Sequence, residues 1–124
     1  MNRCLRWSSL ACYVAALTIL LVRPIPPVLQ PPFPQADKVE HFIAMGLFSV
    51  LILRAMTDPR AERLSKVSFT VACLVSVAYA VAMESVQAHV GRDCSVADML
   101  AGALGVAVLT PVYALLRHRS LYLR

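Results

Sequence analysis

Charge is what this sequence has least of. Asp, Glu, Lys and Arg together supply 15% of its 124 residues, while 59% are hydrophobic. A soluble surface usually carries about 25% charged residues, so composition points away from a water-soluble domain. A basic cluster is also missing. The net charge of +5 comes from residues that punctuate apolar blocks rather than gather on one face, which removes the electrostatic footprint of a nucleic-acid binder. Cysteine is present four times, but at no metal-site spacing and in no disulfide framework; Cys4, Cys12 and Cys73 lie in or beside apolar blocks, as small buried fillers do. No small-residue cleavage site follows the first apolar run, although Arg3 and Arg6 ahead of it imitate a signal peptide. That run is therefore expected to stay as a membrane helix.

What is present is four apolar blocks separated by charge or proline. Trp7 to Val22 is uncharged between Arg6 and Arg23, slightly short of the roughly 20 residues needed to span, with snorkelling arginines making up the difference. Residues 23–36 then hold six of the eight prolines, which excludes helix and favours an extended connector. Phe42 to Leu53, extended by polar end turns, forms the second block, with Asp37 and Glu40 suited to its start. A charged turn follows before the third block, Val67 to Met83, which continues through Glu84 and Gln87 until Gly91 can end it. Met99 to Leu116 forms the fourth, opened by Ser95 and Asp98 at capping-box spacing and kinked at Pro111. The expectation is one all-α domain over residues 1–124: a membrane bundle of four transmembrane helices with short loops, at about 5–22, 37–56, 66–90 and 96–117.

Lys and Arg divide nine against three across the alternate sides of four spans. The positive-inside rule places both termini in the cytoplasm, and with them the bacterial inner membrane as the expected location. The proline linker and the 89–96 loop then face outward, and the costly polar residues converge. Asp37, Glu40 and His41 at the start of helix two, Glu84 and Gln87 at the end of helix three, and Asp98 at the start of helix four all reach one outer level. Helical phase puts Asp37 and His41 on one face and Glu84 within 60° of Gln87. A charge in the bilayer costs about 2.5–3.5 kcal/mol, so Glu84 needs a partner, with His41, Arg92 and Lys38 nearest in depth. His41 is a stock acid or base, though a single histidine is a thin basis for a metal site, and no metal or cofactor is expected. On helix four, Ala97, Ala101 and Gly105, with Gly102 beside them, offer a small-residue packing face.

These residues resemble the VanZ-like family of small bacterial membrane proteins. Asp37, Lys38, His41 and Phe42 match its first signature, Glu84 and Gln87 its second, and Arg92, Ser95, Asp98 and Gly105 its third; the likeness covers about residues 37–109. Gly102 stands where the family often has Asn, and Val90 where it often has Pro. The resemblance implies a location in the cell envelope and an association with resistance to the glycopeptide antibiotic teicoplanin, without an agreed reaction.

Two functional expectations follow. In one, His41, Glu84 and Asp98 do acid–base work while Asp37, Lys38, Gln87, Arg92 and Ser95 bind an anionic or lipid-linked envelope component. In the other, the module is a non-catalytic scaffold or partner-binding subunit whose polar residues only fix helix packing. The bilayer itself is the one partner common to both, and nothing favours nucleic acid.

Overall fold

The computed structural model describes residues 2–22, 35–61, 63–90 and 94–122. Four helices account for nearly all of them: α1 Arg3–Val22, α2 Ala36–Met56, α3 Lys66–His89 and α4 Val96–Tyr122. All four are long and apolar enough to cross a membrane. The expected all-α four-helix bundle is therefore what the chain forms, and no strand occurs among the described residues. Most of the proline linker, residues 23–34, lies outside the described residues, as does Arg92.

α2 packs most extensively on α4, then on α3 and α1, and α1 and α4 lie on opposite sides of the α2–α3 pair. The interior is narrow. Leu17, Met45, Phe48, Leu53, Ala72 and Val106 are among its buried members, while large residues such as Leu20, Val67, Leu74, Leu104 and Leu115 stand exposed along the helices. Those outer side chains suit lipid, which is as apolar as they are; helix association then rests on close packing and interhelical hydrogen bonds. Both are visible. A β-carbon at Gly105 would run into the backbone carbonyl of Phe42, so α4 approaches α2 as closely as backbones allow there. Midway along the same pair, the hydroxyls of Ser49 and Thr110 bond to each other, and Ser49 also donates to the Gly46 carbonyl at 3.0 Å.

Three helix ends and one packing face differ from the sequence expectation. α2 is preceded by Gln35, whose side chain makes no cap, so Asp37 lies inside the first turn rather than at the cap. Its charge there still suits the positive end of the helix dipole. Arg6 does not snorkel outward but is 7% exposed, and its guanidinium donates to the carbonyls of Arg54 and Thr57 at the end of α2. Those acceptors are the unsatisfied last-turn carbonyls that every helix leaves. α4 continues through Pro111 and past residue 117 to Tyr122. Arg117 holds its last turns by donating to the carbonyls of Asp58 at 2.7 Å and Ala61 at 3.0 Å, a tertiary anchor with no local signature. Finally, the buried stripe of α4 is Asp98, Gly102, Gly105, Val106 and Thr110, whereas Ala97 is exposed, so the small-residue face is turned by about one position from the expected one.

Candidate functional site

The start of α2, the end of α3 and the start of α4 meet at one end of the bundle, and each brings a buried polar side chain. His41 is 3% exposed, Glu84 1% and Asp98 4%. His41 Nδ1 lies 2.9 Å from the carbonyl oxygen of Asp37, one turn back on its own helix. A carbonyl only accepts, so Nδ1 carries the hydrogen and the tautomer follows. His41 Nε2 faces Glu84 Oε1 at 3.1 Å. The two groups are in close contact, but Glu84 Oε1 accepts no hydrogen bond in this geometry.

The second oxygen of Glu84 has a different task. Oε2 accepts the backbone N–H of Ser95 at 2.9 Å, just ahead of α4. Ser95 in turn caps α4: its Oγ accepts the Asp98 N–H at 3.3 Å. In a complete capping box the acid three residues on would reach back to the cap residue's N–H. Here Glu84 of α3 supplies that contact, and the Asp98 carboxylate is released to face α2. It sits 3.4 Å from Lys38 Nζ, whose side chain is 44% exposed. Asp37 completes the group, with Oδ1 at 3.7 Å from His41 Nδ1. One donor atom each from Asp37, His41 and Asp98 lie within 4.8 Å of one another, a spacing that could hold a metal ion.

Six of the residues singled out from sequence are thus brought together: Asp37, Lys38, His41, Glu84, Ser95 and Asp98. Gln87 is not among them. It is buried on the same face of α3 as Glu84, but its amide donates to the Leu21 carbonyl at 2.9 Å and so ties down the end of α1. Arg92 lies outside the described residues. His89 is exposed and bonds only to the Ser85 carbonyl of its own helix, apart from the cluster. Of the two described partners considered for Glu84, His41 is in contact with it, while Lys38 pairs with Asp98 instead.

One turn further in from each buried polar residue stands an apolar or minimal one: Met45 after His41, Ala80 before Glu84 and Gly102 after Asp98. These also meet, since a β-carbon at Gly102 would lie 2.9 Å from Met45 Cγ and 3.6 Å from Ala80 Cβ. On the other face of α2, Glu40 borders an apolar cavity of about 310 Å³ between α1 and α2, walled by Tyr13, Leu17, Leu20, Leu21 and Ile43. Sequence reasoning put Glu40 at the right depth but missed this neighbour, because the cavity depends on how α1 leans on α2.

Four apolar helices around a buried His–carboxylate cluster define the class: a multi-pass α-helical membrane protein. No family model, no curated protein and no solved structure matches the chain.

Proposed function

We propose that the chain is a VanZ-like protein of the bacterial cytoplasmic membrane, with both termini inside, whose outward-facing cluster binds or acts on a lipid-linked component of the cell envelope. The observation that carries this reading is the His41–Glu84 pair. A membrane interior disfavours ionisable groups unless they have a use, and here two of them stand buried in contact at one end of the bundle. An imidazole beside a carboxyl group can pass a proton to or from a bound group, which assigns acid–base work to His41 and Glu84. Asp98 and Asp37 hold the rim, and the half-exposed ammonium of Lys38 is placed for an anionic headgroup. The apolar cavity beside Glu40 opens at the same depth on the same helix and suits a hydrocarbon chain. The association of VanZ-like proteins with teicoplanin resistance makes that phenotype the natural readout. In cells carrying Glu84→Gln or His41→Ala, the envelope phenotype should fall by far more than the protein level does. Parental susceptibility at parental protein levels would overturn the proposal.

A second reading has its own support. Glu84 caps α4 and Gln87 anchors α1, so both polar residues of α3 also tie helices together. A non-catalytic scaffold needs no more than this. Under that reading the same variants lose thermal stability in detergent in proportion to any lost phenotype.

A further inference from the structure

The cluster gathers donor atoms of the kind that hold a metal cation. Asp98 Oδ1 is buried and accepts no hydrogen bond, although it points into the group; its neighbour is the Lys38 ammonium at 3.4 Å. Asp37 Oδ1 and His41 Nδ1 stand on the other side, 3.7 Å apart. We propose that Asp37, His41 and Asp98 form a divalent-cation site in which Lys38 occupies the cation's place when the metal is absent.

The donor set defines the metal class. Two carboxylates and one imidazole suit a cation of borderline hardness such as Mn²⁺ or Zn²⁺, and three protein ligands leave coordination positions open. Ligand spacing within 4.8 Å is compatible with a common centre after small side-chain adjustments. On binding, His41 Nδ1 exchanges the Asp37 carbonyl for the metal, and its proton leaves to solvent. Nε2–H then faces Glu84 Oε1, 3.1 Å away at present, and a small turn of the ring on metal binding would let it donate. That is the carboxylate–histidine–metal arrangement by which an outer carboxylate orients a ligating ring and raises its basicity. Glu84 is itself fixed by the Ser95 N–H, so the orienting group is held by the backbone of α4. Lys38, on an exposed and flexible stem, can swing toward solvent as the metal enters. The open positions would accept oxygens of an anionic headgroup, and in that respect the inference deepens the proposed function. Its test, however, uses the metal alone.

The experiment is titration of the full chain in detergent with Mn²⁺, followed by the loss of the free-ion electron paramagnetic resonance signal, and repeated with Zn²⁺ in competition. One ion per chain is expected. Asp37→Asn should abolish binding, and Glu84→Gln should weaken it about ten- to hundredfold, as for other outer-shell carboxylates. Lys38→Met is the decisive variant, because removal of the competing ammonium should tighten binding about tenfold. Such a gain cannot arise from misfolding. No binding by the parent chain, or binding indifferent to both Asp37→Asn and Lys38→Met, would overturn the site. Since no lipid is present, failure here leaves the envelope-ligand reading standing, and failure of the resistance assay leaves the cation site standing.

Discussion

Gly105 of α4 rests its bare Cα against the backbone carbonyl of Phe42 on α2, with no space between them for a methyl group. This close helix contact lies two turns from Asp98 on α4 and one residue from His41 on α2. Packing at Gly105 and the alignment of the polar cluster are consequently one structural problem.

Gly105→Ala should therefore be costly, because the obstruction is backbone and cannot turn aside; overpacking of this kind costs about 1–3 kcal/mol or more. Gly102→Ala should be milder, since its β-carbon would meet the flexible end of Met45 at 2.9 Å. Thermal unfolding in detergent should rank parent above Gly102→Ala above Gly105→Ala. The reverse order would mean that α2 and α4 are further apart than described here.

The His41–Glu84 pair is open to a double-mutant cycle. Each single change, His41→Ala or Glu84→Gln, leaves the other group buried without its partner, which is more damaging than removing both. The coupling energy in detergent should come out at about 1–3 kcal/mol, as for directly contacting residues. Additive effects would mean that the two groups do not interact.

Gln87→Leu removes the amide that donates to the Leu21 carbonyl, a polar tie between α3 and the end of α1. Loss of one intramolecular hydrogen bond costs about 0.5–1.5 kcal/mol. The loss should be local: faster amide exchange in the last turns of α1, with α2 and α4 protected as before. Uniform loss of protection would show that α1 is integral to the whole bundle.

Topology is testable with the native cysteines. Cys94 and Cys4 are both exposed, at opposite ends of the bundle, and the proposed orientation puts Cys94 outside. A membrane-impermeant thiol reagent should modify Cys94 in intact cells and reach Cys4 only after lysis. Cys12 is exposed within the α1 span, where the bilayer shields it. Labelling of Cys4 before Cys94 would invert the orientation.

The spans were legible in the sequence because apolar blocks of membrane length stand between charges and prolines. The depth of the cluster was legible too, since helical phase and chain direction place residues 37–41, 84 and 98 at one level. Which group touches which was not. Ser95 and Asp98 have the spacing of a self-contained cap, yet Glu84 takes one half of it, and only the approach of α3 to α4 decides that. Arg6 carried the signature of a snorkelling residue and turned inward because the end of α2 offers it two carbonyls. The end of α4 was missed for the same kind of reason, as its last turns are held by Arg117 across the bundle.

The contact of Met45, Ala80 and Gly102 directly beneath the cluster determines how the site is used. Met45 is wholly enclosed, Ala80 nearly so; deeper in, Ser49 and Thr110 bond to each other, and the buried Ser76 hydroxyl has no hydrogen-bond partner. Among the described residues an apolar layer thus separates the cluster from the hydroxyls of the bundle's middle. A group drawn to His41 and Glu84 has its shortest approach from the end of the bundle where α2 and α4 begin.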